Sequence, residues 1–316
     1  MIVRDAYLLA GPTASGKSAI AATLARESGA WILSADSMNV YRGMDVGTAK
    51  PSAAERAEFH MGGVDVVTPA EEFSAGAWLR AVADWARGVP AGTPLVIVGG
   101  TGLYLNALLA GHGFAGGDKD GKYRAELERR WEEEGGEAMF AALRRIDPET
   151  AEKLHANDKK RILRALEVYY ETGKTMARHN AETKLLPPRY DSVRIGLAYE
   201  DREDMKRAID LRVDKMVEAG LFDEVRALLA SGISRDVTAM QAIGYKEALS
   251  YLDGAATREE AIEEIKLRSR QYAKRQLTWL RRDKDIHWYY WKKTRDLADC
   301  LAFSTEILRE YGVSCS

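Results

Sequence analysis

Only two of the 316 residues are cysteine, Cys300 and Cys315, and neither belongs to a C-x-x-C pair or has partnering histidines nearby. That argues against a zinc site and a disulfide framework, and it fits a reducing, cytoplasmic compartment. No apolar run approaches the length of a membrane span. A glycine-rich loop arrives by residue 11, which leaves no room for a signal peptide, so a soluble chain is expected. Neither sign of charge dominates, with 46 Lys and Arg against 48 Asp and Glu. A nucleic-acid partner can therefore be argued only from an uneven distribution of charge. Repeats and low-complexity tracts are also missing. What remains, 46% hydrophobic and 30% charged, is the composition of a folded chain long enough for more than one domain.

The rest of the chain is organised around Gly11-Pro12-Thr13-Ala14-Ser15-Gly16-Lys17-Ser18, which follows the apolar run 6–10 and precedes an Ala-rich helical stretch. The spacing G-x-x-x-x-G-K-[ST] wraps backbone N–H donors around a phosphate and adds a helix N-terminus. In this pattern Lys17 reaches the terminal phosphate of a di- or triphosphate and Ser18 ligates Mg²⁺. A plain glycine turn is the bland alternative, but strand, loop and helix appear in the required order.

Residues 31–35 predict a second buried strand running into Asp36, and residues 94–98 a third ending in Gly99-Gly100-Thr101-Gly102. In a parallel sheet all strands end on one edge, so Asp36 and Thr101 should face the phosphate loop. An acidic residue at a strand end can also be a simple turn cap. The third strand ends in glycine where a common nucleotide hydrolase places a metal-binding acid, which counts weakly against an ATPase. An amphipathic helix is expected over 75–87, with Trp78, Leu79, Val82 and Trp85 on one face.

From about residue 113 to 188 the pattern becomes charged and helical, with three amphipathic helices near 124–131, 138–143 and 162–170. Lys159, Lys160, Arg161 and Arg164 crowd the start of the third, where positive charge opposes the helix dipole and suggests an anionic partner. A solvated face is the equal alternative. Residues 193–198 then read as a strand returning to the sheet, so the helical block is an insertion. Helices follow over 204–230, with Arg212 interrupting the apolar set, and over 258–282. The latter is acidic first and basic last, with Arg270, Lys274, Arg275, Arg281 and Arg282 denser than dipole compensation needs, which points to a phosphate backbone. The aromatic run 288–291 reads as packing.

The ordered set of the phosphate loop, Asp36-Ser37-Met38-Asn39-Val40-Tyr41-Arg42-Gly43-Met44-Asp45-Val46-Gly47-Thr48-Ala49-Lys50-Pro51 and Gly99-Gly100-Thr101-Gly102-Leu103-Tyr104 resembles the tRNA dimethylallyltransferases. Residues 157–167, Gln241-Ala242-Ile243-Gly244-Tyr245-Lys246-Glu247 and Lys274-Arg275-Gln276-Leu277-Thr278-Trp279-Leu280-Arg281 agree as well. Two departures are Asn39, where the family usually has Gln, and Lys159, where it often has Pro. The resemblance implies an α/β, P-loop NTPase-like parallel sheet core (residues 1–112 and 190–316 with C-terminal helices). An inserted, mostly helical tRNA-binding domain would span 113–189.

The activity implied is transfer of a dimethylallyl group from dimethylallyl diphosphate to N6 of the adenosine 3′ of the anticodon, with release of diphosphate. Gly11, Pro12, Thr13, Ala14, Ser15, Gly16, Lys17, Ser18 and Arg212 would bind the diphosphate with Mg²⁺ on Ser18. Asp36 would be the base and Thr101 the hydroxyl that holds the reacting groups, with Lys17 and Arg212 also catalytic. Contacts to the tRNA anticodon stem-loop would come from Asp36, Ser37, Met38, Asn39, Thr101, Arg124, Lys160, Arg161, Ile162, Leu163 and Arg164. The stretches 241–246 (Gln241, Ala242, Ile243, Gly244, Tyr245, Lys246) and 274–281 would add to them. No membrane or protein partner is expected, and the chain should act as a monomer. A phosphate-loop kinase or ATPase with another acceptor, or a tRNA-binding protein without catalysis, are the rival readings.

Overall fold

The computed structural model describes residues 3–109, 121–185, 190–293 and 295–311. Five strands form one parallel sheet: β1 (Val3–Ala10), β2 (Trp31–Ala35), β3 (Leu95–Gly99), β4 (Tyr190–Tyr199) and β5 (Ile286–Trp291), in the order β2-β3-β1-β4-β5. Ala10 pairs with Gly99 on one side and Gly196 on the other, so β1 is central and its end lies level with its neighbours' ends. The chain fills one side of β1 with β2 and β3 and then crosses to the other. Ligands of such sheets bind beyond the strand C-termini at this reversal.

The strands read as apolar runs because both faces are covered. Along β1, Ala6, Leu8 and Ala10 enter one core with Leu33, Ile97 and Tyr245, while Tyr7 and Leu9 enter a second with Ile20, Leu24 and Trp291. Alternation of period two thus supplies two separate cores. β1 to β4 fall where the apolar patterning placed them, with ends shifted by a few residues. β5 is a correction: the aromatic run is an edge strand, and only its terminal residues Ile286 and Trp291 are buried. Its half-exposed middle hides the pattern by which buried strands are read.

The chain divides into two compact units, Met1–Leu109 with Tyr190–Ser316, and Ala110–Arg189. The expected junction at residues 112 and 113 and the end at 189 fall outside the described residues, as does Cys315. In the second unit the described elements are helices, among them Lys122–Glu134, Gly136–Ile146, Lys159–Thr172 and Met176–Lys184. Leu127, Met139, Leu143, Ile162, Leu163 and Leu166 form its core. Asp147 fastens two of its segments, accepting from Thr150 N and Ala177 N at 3.1 Å each. In the first unit Thr257 starts the 23-residue helix Arg258–Leu280 with a reciprocal Thr257–Glu260 cap.

Candidate active site

The loop after β1 turns on Gly16, whose φ of 85° is left-handed and suits glycine, and the helix Lys17–Ser28 begins at the next residue. The first N–H groups of that helix lack intrahelical acceptors and so favour an anion at the loop. Lys17 Nζ donates to Pro12 O at 2.7 Å and lies 3.5 Å from Ser15 Oγ. Ser18, one residue on, is exposed on the first turn.

Two further elements brace the loop. Trp291 at the end of β5 donates its indole N–H to Ser15 O at 2.8 Å, and Gln276 accepts from Thr13 N at 2.8 Å. Beyond β5, Arg295 donates Nε to Tyr199 OH at 2.7 Å and Nη2 to Ala14 O, with its guanidinium over the Tyr199 ring. Sequence reasoning missed Arg295, which carries no motif and belongs to the site only because β5 ends beside the loop.

Asp36 ends β2, and its Oδ1 accepts from Met38 N at 2.8 Å. Thr101 Oγ1 accepts from Ser37 N at 3.1 Å, which ties the ends of β2 and β3 together. Asn39 donates Nδ2 to Ser34 Oγ, and its Oδ1 is buried with no partner among the described residues. Tyr272, also missed, lines the cavity from the long helix; burial, and next the Asp36 charge, push its phenol up to about 12.

Arg212 approaches from the helix Arg202–Glu218 and donates to Thr48 O at 3.0 Å. Burial lowers its basicity while Asp36 opposes that change. Thr48 is held in turn by the segment before it: the Glu224 carboxylate accepts from the N–H groups of Asp45, Val46 and Gly47 at 2.7–3.0 Å and from Tyr245 OH at 2.6 Å. Lys50, with its side chain fully buried, pairs with Asp45 at 2.6 Å and Asp65 at 2.7 Å. The stretch 45–50 therefore owes its residue types largely to shaping one wall.

Lys17 shows the combined electrostatics. Burial first, then the charge of Arg212, bring its ammonium down to about 7, against the pull of Asp36, and Arg295 lowers it further. Three cations converging on one cavity, two of them partly buried, make a site for a multiply charged anion. Lys17, Arg212, Arg295, Asp36, Asn39 and Tyr272 all line one cavity of about 1120 Å³ in the first unit. A drug-sized ligand needs roughly 300–1000 Å³, so there is room for more than one small group. Among the described residues no cluster of His, Cys, Asp and Glu could hold a metal ion by itself.

Residues 39–283 match the model of the IPP transferase family, and residues 4–60 match that of isopentenyl transferases. The chain belongs to the IPP transferase family. Similar proteins include the tRNA dimethylallyltransferase of Halothermothrix orenii, 42% identical over 89% of this chain and 86% of that one. That of Pelotomaculum thermopropionicum is 40% identical over 96% and 95%. Among solved structures, the tRNA delta(2)-isopentenylpyrophosphate transferase of Staphylococcus epidermidis has a TM-score of 0.67 at 35% identity, covering 96% of this chain and 98% of that chain. A eukaryotic dimethylallyltransferase acting on tRNA scores 0.78 at 28% identity over 97% and 80%.

In this IPP transferase Lys17, Asp36 and Thr101 follow strand ends on one edge of the sheet and Arg212 reaches the same cavity as Lys17 and Asp36 from its helix, but the stretches assigned to tRNA are mixed. Ile162, Leu163, Tyr245, Leu277 and Leu280, expected among the tRNA contacts, have side chains buried in the core, and Gln276 is buried against the phosphate loop. Helical and turn segments that present a surface must also anchor it. Lys160, Arg161, Gln241, Lys246, Lys274, Arg275, Thr278 and Arg281 are exposed, whereas Ala242, Ile243 and Trp279 are half-buried and Gly244 is buried. The cations of the second unit are partly neutralised: Lys159 pairs with Glu132 at 2.6 Å, and Arg124 and Arg164 flank buried Glu167 at 3.7 and 3.1 Å. Arg270 leaves the basic stripe to pair with Asp210 at 2.8 Å.

Proposed function

We propose that this IPP transferase is a tRNA dimethylallyltransferase, moving a dimethylallyl group from dimethylallyl diphosphate to N6 of the adenosine 3′ of the anticodon. The observation that carries the reading is the juxtaposition of a cationic phosphate loop and a carboxylate, Asp36, in one cavity. The first suits a diphosphate leaving group and the second suits a proton acceptor. The relatives' names support the acceptor, being those of enzymes that act on tRNA.

The diphosphate lies against the N–H groups of the loop and the side chains of Lys17, Arg212 and Arg295. As the bond between carbon 1 and oxygen breaks, its electron pair leaves with the diphosphate, and the three cations favour the charge that accumulates there. An exocyclic adenine amine is a weak nucleophile because its lone pair is delocalised into the ring. Asp36 takes the N6 proton as the N–C bond forms, which restores a neutral amine. Thr101, bonded to Ser37 N, keeps the Asp36 turn in place.

The residues fit Mg²⁺: Ser18 offers a hard oxygen at the helix start and would hold the ion together with substrate phosphate oxygens and water. Such an ion would supply further charge compensation to the diphosphate. A base inside a structured loop must be extruded to enter a cavity of this kind. Exposed Lys160, Arg161, Lys246, Lys274, Arg275 and Arg281 are the cations we assign to the stem-loop phosphates.

The test is incubation with labelled dimethylallyl diphosphate, Mg²⁺ and unmodified bulk tRNA, followed by digestion. Label on N6-dimethylallyladenosine is the expected result. Rapid ATP turnover without tRNA, together with unlabelled RNA, would overturn the assignment.

A further inference from the structure

Gln276 lies near the end of the helix Arg258–Leu280 and is 7% exposed. One face of its amide meets the phosphate loop, where Oε1 accepts from Thr13 N at 2.8 Å; the other meets the turn after β3, where Nε2 donates to Gly100 O at 3.0 Å. The turn is fitted closely to the amide, since a Cβ on Gly100 would lie 2.4 Å from Nε2 and 2.6 Å from Gly11 O. The next residue, Thr101, accepts from Ser37 N at 3.1 Å, and Ser37 follows Asp36. The cradle for the diphosphate is thus joined by the Gln276 amide to the β3 turn, and that turn by the Thr101 hydroxyl to the residue after Asp36. A neutral side-chain amide is the group that offers an acceptor and a donor together at this reach.

We propose that Gln276 is a positioning residue for prenyl transfer, its amide fixing the spacing between the diphosphate held in the phosphate loop and the base at Asp36. The proposal rests on the function proposed above. The sequence resemblance groups Gln276 with a tRNA-contacting stretch, but its burial and both its bonds turn it inward. Reacting groups displaced by about 1 Å can lose roughly a hundredfold in rate, so the amide acts on turnover more than on binding.

Gln276→Glu gives a readout that packing alone does not. The carboxylate keeps an acceptor for Thr13 N–H but sets a second anionic oxygen against Gly100 O. The protonated acid has the same length and regains a donor, and burial raises a carboxyl pKa toward neutrality. With both substrates saturating, the single-turnover rate of Gln276→Glu should fall by roughly 30- to 100-fold at pH 8.5. Its ratio to wild type should recover several-fold by pH 6, with tRNA affinity within about twofold of wild type throughout. Gln276→Met fills similar space without either bond, so it should be slow at every pH.

A wild-type rate in either variant, a pH-independent ratio for Gln276→Glu, or weakened tRNA binding as the sole effect would overturn the proposal. Loss of the folded state by both variants in thermal melts would assign the amide to stability and overturn it too. Absence of transfer by the wild-type chain would overturn the functional reading and this one together, whereas the other failures touch this one alone.

Discussion

Lys17 should take up a proton when the diphosphate binds. Its ammonium is held at about 7 in the ligand-free site, chiefly by burial and by the Arg212 charge. A diphosphate brings negative charge against the same nitrogen and restores its basicity, so the bound form keeps the proton well above pH 8. With a free value near 7, Lys17 is about half protonated at pH 7 and about 3% protonated at pH 8.5. Affinity should therefore change by no more than about twofold below pH 7. It should weaken by roughly fifteenfold from pH 7 to 8.5, or about 1.6 kcal/mol. The assay is calorimetric titration with inorganic diphosphate at saturating Mg²⁺ in two buffers of different ionisation enthalpy. Proton uptake of about 0.5 at pH 7, rising to about 0.9 at pH 8, is expected beyond that of Lys17→Met, which serves as the blank for ionisation of the ligand. Equal uptake by the two proteins would refute the argument, because it would mean that Lys17 is already charged in the empty site.

The same shift acts on folding: the unfolded chain binds more protons than the folded one between about pH 7 and 10.5, so the Lys17 contribution to stability rises with pH across that window. Thermal melts of wild type minus Lys17→Met should show this slope, and a difference that falls with pH would have the wrong sign. Asp36→Asn keeps the shape of the turn but removes the proton acceptor, so single-turnover transfer should drop by roughly a hundredfold or more at saturating Mg²⁺ and donor, with tRNA affinity little changed. Near wild-type rates under those conditions would remove Asp36 as the base. Gly16→Ala places a side chain at φ 85° with its Cβ 3.4 Å from the Trp291 ring, and about 1–2 kcal/mol of strain should appear as weaker diphosphate binding and a lower melting point. Unchanged values would show that the loop adapts freely. Replacing exposed Lys274 and Arg275 with Ala should lower the slope of log K for tRNA against log salt by roughly 1.5 while diphosphate affinity stays constant; an unchanged slope would place this helix away from the RNA.

How much of this site could be read in advance depended on where each residue stands along the chain. Lys17, Asp36 and Thr101 follow three apolar strands, and a parallel sheet brings every strand end to one edge, so order along the chain already implied proximity in space. Arg212 stood out by interrupting an apolar set, and the family resemblance gave it a role. The resemblance placed Gln276 only in a tRNA-contacting stretch, and Arg295 had no signal at all. The first meets the phosphate loop across 263 residues of sequence, and the second across 281. Both contacts arise from how late elements dock on the sheet, the long helix against the β3 turn and the segment beyond β5 against Tyr199.

β5 was hidden for a related reason, since an edge strand with one terminal anchor at each end has neither the continuous apolar run of β1 nor a clean alternation. The basic patches show the opposite effect. Lys159, Arg164 and Arg270 read from sequence as free positive charge, yet each has an acidic partner supplied by tertiary packing or by a neighbouring turn. Charge density along a helix therefore overstates the field available to a polyanion. The cations that remain exposed, such as Lys274, Arg275 and Arg281, are the ones on which a salt-dependence measurement bears.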